Sequence, residues 1–238
     1  MRGRLLACLV FFGPGARAGQ LAVDPVRLDL STQAPVAALT VRNAGAEPVL
    51  MQLEPLAWSQ QDGEDRYTAS DDLLATPPIF TVPPGGGQIV RVGLRRPVNS
   101  LSEQSYRLFL QEQPRPAAAP SEPSVSLRTI LRIGVPVFVA PAAPARADLR
   151  WRATRTGEGL RVEATNTGNV HAKLIGLDVS APVDDKKLNV FEGLAYVLPG
   201  NSRHWLVQAG EFSQGERLRL WARTERETLK AGLEVQGP

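Results

Sequence analysis

The side chains that could do chemistry are few and poorly placed for it. Of the two histidines, His171 follows a turn and His204 lies in an alternating apolar segment. They form no i, i+4 pair, and no cysteine stands near to complete a zinc site. Both are expected to be ordinary surface or core residues. Asp71-Asp72 and Asp184-Asp185 adjoin turns, where a solvated carboxylate is the common reading and a spaced acid–base pair is not. Gly85-Gly86-Gly87 lacks the Lys-Ser/Thr of a phosphate loop and leads into a strand instead of a helix. No G-x-S-x-G elbow occurs. The expectation is a protein that binds rather than catalyses, with no cofactor and no metal.

The first residues point to export. Arg2 and Arg4 precede an apolar stretch over 5–12, and Ala16-Arg17-Ala18 offers a cleavage site of small residues. That order is a secretory signal peptide over 1–18, too short to remain as a membrane anchor. Leu5-Leu6-Ala7-Cys8 also resembles a lipoprotein box, but the apolar run continues past Cys8, which favours an ordinary signal-peptide cysteine. Cys8 is the single cysteine, so the mature chain is expected to have no disulfide and no reactive thiol. Loss of Arg2, Arg4 and Arg17 brings the 27 basic residues down to the number of acidic ones, 24. A near-neutral mature chain gives no reason to expect nucleic-acid binding.

The elements that must position any site are strands. Apolar residues alternate with polar ones between turn formers, the pattern of an all-β sandwich. Val26, Leu28 and Leu30 form one set; Ala37, Leu39 and Val41 the next; then Val49, Met51 and Leu53, in a strand ending near Trp58. A polar loop is expected over 60–65. Segments at 77–82, at Val90, Val92 and Leu94, and at Tyr106, Leu108 and Leu110 follow. With the segment ending at Val139 they make roughly seven strands, enough for one sandwich. Pro141-Ala142-Ala143-Pro144-Ala145 reads as a linker. Beyond it, strands are expected at 149–155, 160–165, 173–179, 194–198, 204–207 and 217–223. The fold expected is two immunoglobulin-like β-sandwich domains, over 19–141 and 148–238, joined by the short Pro/Ala-rich linker.

The segment over 125–139 departs from this rhythm. Val125, Leu127, Thr129, Leu131, Ile133, Val135, Val137 and Val139 share one parity. Fully extended it would reach about 50 Å, against five or six residues for a usual strand. It need not be one unbroken strand.

Several segments together resemble periplasmic pilus and fimbrial chaperones of the PapD-like family. They are Val23-Asp24-Pro25-Val26-Arg27-Leu28, Thr40-Val41-Arg42-Asn43, Pro77-Pro78-Ile79-Phe80-Thr81-Val82-Pro83-Pro84-Gly85 and Gln88-Ile89-Val90-Arg91-Val92. Glu103-Gln104-Ser105-Tyr106-Arg107-Leu108-Phe109-Leu110-Gln111-Glu112 and Ile133-Gly134-Val135-Pro136-Val137-Phe138-Val139-Ala140-Pro141 complete the set. In the second half, Asn166-Thr167-Gly168-Asn169-Val170-His171 and Tyr196-Val197-Leu198-Pro199-Gly200 are similar to the archaic, Csu-type branch.

The resemblance implies a mechanism. A pilin is an incomplete immunoglobulin-like fold, and the chaperone lends it an edge strand, a recognised mode of strand addition. Carried over by position, Val125, Leu127, Thr129 and Leu131 are the donor residues, while from Ile133 onward the same parity faces the chaperone's own core. The resemblance also implies basic residues that hold the pilin's C-terminal carboxylate. Arg27 matches the first of these; the second, a lysine, falls at or near Pro136 and is missing, with Arg107 or Arg132 as substitutes. Glu103 matches the acidic member of an interdomain ion pair, but Ala140 stands where its arginine partner is usual. The implied partners are pilin subunits and an outer-membrane usher in the periplasm, with no small-molecule substrate and no nucleic acid; self-association of the free chain is left open. The alternative is a structural β-sandwich, a pilus subunit or a surface-binding module.

Overall fold

A computed structural model describes residues 21–97, 99–114, 129–181, 187–208 and 212–237. The leader, Val125, Leu127, Asp184 and Asp185 lie outside the described residues. The described residues contain strands and turns and no helix. The first ten strands are β1 (Leu21–Asp24), β2 (Leu28–Leu30), β3 (Val36–Asn43), β4 (Val49–Gln61), β5 (Glu64–Ala69), β6 (Leu73–Thr76), β7 (Ile79–Val82), β8 (Gly87–Leu94), β9 (Gln104–Glu112) and β10 (Arg132–Val139). They build a four-stranded sheet, β1-β3-β8-β6, facing a six-stranded sheet, β2-β10-β9-β4-β5, in which β7 also pairs with β4. Leu39, Val41, Val90 and Val92 from one sheet and Met51, Leu108, Leu110 and Val137 from the other fill the core between them.

The second half contributes β11 (Leu149–Thr156), β12 (Gly159–Asn166), β13 (Ala172–Ser180), β14 (Leu188–Val197), β15 (Ser202–Val207), β16 (Arg217–Thr224) and β17 (Thr228–Gln236). They follow one hydrogen-bonded path, β14-β13-β16-β17-β11-β12-β15. The path turns where β17 meets β11 through only two parallel register pairs, at Ala153 and Thr154. Leu160 and Val162 on one side of that turn therefore pack against Leu174, Leu177 and Leu220 on the other. The two-sandwich, all-β architecture expected from the alternation is the one found.

Several expectations need correction. Val26 is 73% exposed and belongs to no strand. The chain changes sheets there: β1 pairs with β3, whereas β2 pairs with β10, and Pro25 has no N–H to continue a ladder. Residues 60–65 are not a polar loop. β4 runs to Gln61 and turns back at Asp62-Gly63, both at positive φ, 53° and 82°, which is what a two-residue hairpin turn requires. The returning β5 escaped the sequence reading because nearly all its residues are exposed and it carries no apolar alternation. β17 was likewise unanticipated, and β14 begins at Leu188 instead of 194.

Candidate functional site

β10 is where the fold offers something unfinished. Along one side it pairs with β9 from Arg132 to Val139. Along the other, β2 reaches it only at Val137, Phe138 and Val139. From Arg132 to Pro136 that second edge has no strand beside it among the described residues. An unpaired strand edge is a template for another chain. Pro136, without an N–H, sits at the boundary where β2 begins, the kind of edge position that tolerates proline. Val135, Val137 and Val139 are buried in the core of the first sandwich and Ile133 packs against it. Just before β10, Thr129 is exposed, Leu131 is half-buried and neither is in a strand. Leu131 is tied to β9 through its carbonyl, which accepts the Glu112 N–H at 2.9 Å.

The opposite parity of β10 and β9 forms the outward face of this sheet. Arg132 lies 3.9 Å over the Phe109 ring and donates to Glu54 at 3.1 Å. Arg107 lies 4.0 Å over the Trp58 ring. Gly134 makes this possible: a Cβ there would come within 3.1 Å of Phe109 and 3.2 Å of the Arg107 stem. Tyr67 closes the cluster edge-on to Phe109, and burial raises its hydroxyl pKa, with Arg107 opposing that shift and Asp65 adding to it.

Toward the second domain this face becomes a dry seam. Trp58, Phe138, Tyr196 and Leu198 are buried together. Gln60 bridges the domains like a piece of backbone: its amide donates to the Tyr196 carbonyl and its oxygen accepts the Leu198 N–H, both at 2.9 Å. This explains why the stretch read as a polar loop carries a buried glutamine. His171 stacks on Phe138 with ring centroids 3.7 Å apart. Its Nδ1 is 2.8 Å and its backbone N–H 3.1 Å from the Glu103 carboxylate, whose side chain is only 6% exposed. His171 thus pairs with the acidic residue whose arginine partner is absent at Ala140. The expectation of an ordinary histidine missed this role; only the fold brings 103 and 171 together.

Beside the seam lies a cleft of about 610 Å³ between the domains, whose polar lining includes Arg27, Asp29, Glu103, His171, Lys173 and Glu225. Arg27 precedes β2 and donates from Nε to Asp29 at 3.0 Å and from Nη1 to Glu225 at 3.5 Å. Lys173, on β13, donates to the other oxygen of the same Glu225 carboxylate. Hydrogen bonding to Lys173 leads the effects that hold the Glu225 carboxyl below its ordinary 4.5, and the charges of Lys173, Arg27 and His171 add to it. Of the three arginines singled out from the sequence, Arg27 is in this cleft, while Arg107 and Arg132 lie along the outward sheet face. Lys173 and Glu225 carried no sequence signal.

Asp72 accepts from Tyr106 at 3.1 Å and from Ser70 at 2.9 Å, a structural role consistent with its place by a turn. Burial, followed by the Asp72 charge, pushes the Tyr106 hydroxyl pKa well up. No group of three or more potential metal ligands exists among the described residues, and they contain no helix long and apolar enough to cross a membrane.

A family profile described as pili and flagellar-assembly chaperone, PapD N-terminal domain, matches residues 20–145. That is more than half of the chain, and the chain belongs to this family of pilus-assembly chaperones. Among solved structures, one match is a chain of the CsuC–CsuE chaperone–tip adhesion subunit pre-assembly complex from archaic chaperone-usher Csu pili of Acinetobacter baumannii. It has a TM-score of 0.68 at 16% identity, over 92% of this chain and 100% of that one. The Salmonella enterica SafA pilin–SafB chaperone complex contributes another, at 0.64 and 15%, over 91% and 97%. The E. coli chaperone DraB matches at 0.63 and 19%, over 90% and 96%. At these identities the likeness establishes the shared two-domain fold. No curated protein sequence matches the chain significantly.

Proposed function

We propose that this chain is a periplasmic, non-catalytic chaperone of the archaic, Csu-type branch that captures pilin subunits by lending them the segment ahead of β10 and passes them to an outer-membrane usher. The observation that carries this reading is the open edge of β10 from Arg132 to Pro136, continuous with the apolar alternation before it. Chaperone–pilin and chaperone–adhesin complexes among the structural matches support it. Val125, Leu127, Thr129 and Leu131 are the proposed donor side chains; Thr129, being short and polar, fills its pocket least well. Each aliphatic donor fully buried in a pilin groove contributes about 1.5–3 kcal/mol before ordering costs. Arg27 is the proposed first anchor for the pilin's terminal carboxylate, because a charged, forked donor suits a carboxylate. Arg107 and then Arg132 are proposed as further cations along the sheet face. Residues 1–18 are the proposed export signal, and no cofactor, nucleic acid or small-molecule substrate is required.

The test is Leu127→Asp with Leu131→Asp in the full chain, co-expressed with its pilin. The variant should keep its melting temperature and lose pilin capture, since these side chains are assigned to the client's groove. Truncating core residues would instead cost about 2–5 kcal/mol each. A large fall in melting temperature, or undiminished capture, overturns the donor assignment.

A further inference from the structure

We propose that Glu225 occupies, in the free chaperone, the place of a client's terminal carboxylate between Arg27 and Lys173, and that capture exchanges one carboxylate for the other. This rests on the pilin-capture reading and adds to it a second cation and an internal competitor.

The geometry is that of a carboxylate receptor already filled. Two cations from different domains converge on one carboxylate, one per oxygen: Arg27 on Oε2 and Lys173 on Oε1. Asp29 holds the Arg27 guanidinium from its Nε side, leaving Nη1 for Glu225. Such a charge-assisted pair of donors recognises any carboxylate that reaches it. The charges also dictate exchange. Arg27 and Lys173 are balanced by Asp29 and Glu225, while Glu103 is paired with His171. Arg226 and Glu227, which also line the cleft, carry opposite charges. A further carboxylate entering with Glu225 in place would bring uncompensated negative charge into a partly enclosed site. Glu225 must leave.

It is built to leave. Glu225 stands at the tip of the β16–β17 hairpin, in a turn pinned by Thr224: its hydroxyl accepts the N–H groups of Arg226 and Glu227 at 3.2 and 3.1 Å and donates to the Glu227 carbonyl at 2.8 Å. The backbone stays fixed while the side chain, 46% exposed, can swing to solvent. The lowered carboxyl pKa keeps Glu225 ionised when it binds. Lys173 is less exposed, at 21%, and remains as the resident cation. The ligand class is a carboxylate carried by a polypeptide, and on the pilin-capture reading it is the client's free terminus.

The experiment uses the full chain and the pilin that co-purifies with it. Two synthetic peptides copy that pilin's C-terminal strand, one ending in the free acid and one in the amide. Affinities are read by fluorescence anisotropy, and melting temperatures check the fold of each variant. Glu225→Gln should bind the acid peptide about tenfold more tightly, because the site is no longer self-occupied, and leave the amide unchanged. Lys173→Met should weaken the acid peptide about tenfold and shrink its preference over the amide by the same factor, Arg27 keeping the remainder. If Glu225→Gln leaves the acid peptide unchanged or weakens both peptides alike, Glu225 is an interdomain tether and the proposal fails. If Lys173→Met keeps the full preference of the unaltered chain for the acid, Lys173 is not the second cation. Should the unaltered chain capture neither pilin nor peptide, it is the pilin-capture reading that falls.

Discussion

Where the two sandwiches meet, Trp58, Phe138, Tyr196 and Leu198 are buried side by side. Arg27, Lys173 and Glu225 line an open cleft in the same crevice and keep 38%, 21% and 46% of their side-chain surface exposed. The regions abut: the Lys173 ammonium is 6.0 Å from the Tyr196 ring. Their construction differs. On the dry side Gln60 and Glu103 have buried, fixed partners, the backbone of Tyr196 and Leu198 for one and His171 for the other, while the buried Trp58 Nε1 has none among the described residues. The open side holds its carboxylate with long, solvated side chains. Buried polar pairs are costly to break, whereas exposed ion pairs are worth little. A crevice made this way keeps the angle between domains while leaving one anion replaceable.

The sharpest way to break this contrast is His171→Phe. It preserves the stack on Phe138 but leaves the buried Glu103 carboxylate without its side-chain partner. The expected loss is about 3 kcal/mol in urea denaturation of the whole chain. A variant as stable as the parent would mean that the dry side does not lock the domains.

A smaller effect should come from the support behind each sandwich. Asn43 and Asn166 are the same device used twice. Asn43 donates to the carbonyls of Glu47 and Val82 and accepts from Gly45; Asn166 donates to Val170 and Val197 and accepts from Gly168. Replacing either by Ala should cost about 2 kcal/mol, since buried carbonyls lose their donors. Asn166→Ala should cost more, because the N–H of Asp148, at the start of the second domain, also rests on Asn166, at 3.3 Å. Equal losses in paired melts would show that this contact adds nothing.

The smallest expected signal sharpens the open side. In a carbon-13 titration, the Glu225 carboxyl should titrate below 4.5 in the parent and move back up in Lys173→Met. Because the folded value is the depressed one, the contact stabilises above the unfolded value and is lost as pH falls through the folded one. A midpoint unmoved by Lys173→Met would remove Lys173 as the cause.

Much of this was legible in the chain itself. Alternation placed Leu39, Val41, Leu108 and Leu110 in a core because side-chain direction in a strand has a period of two. The over-long parity ahead of Val139 marked β10 as unusual, and Arg27 drew attention before any fold was in hand. Asn43 and Asn166 stood in segments that resembled the family, although nothing in their spacing revealed that their amides reach into neighbouring strands. β5 and β17 were not legible. The exposed face of β5 has no apolar period, and its pairing with β4 is made by backbone groups that every residue carries.

What only the tertiary structure decided is which distant side chains share a site. Glu103 and His171 are 68 positions apart, Lys173 and Glu225 are 52, and Arg27 and Glu225 are 198. Arg27 and Glu103 stood out only through the family resemblance, and His171, Lys173 and Glu225 alone look like ordinary surface residues. Strand periodicity is a local property that the sequence determines through alternation, but a charge pair across two domains depends on where both sandwiches come to rest. That is set by the burial of Trp58, Phe138, Tyr196 and Leu198 along one seam, and no local pattern contains it.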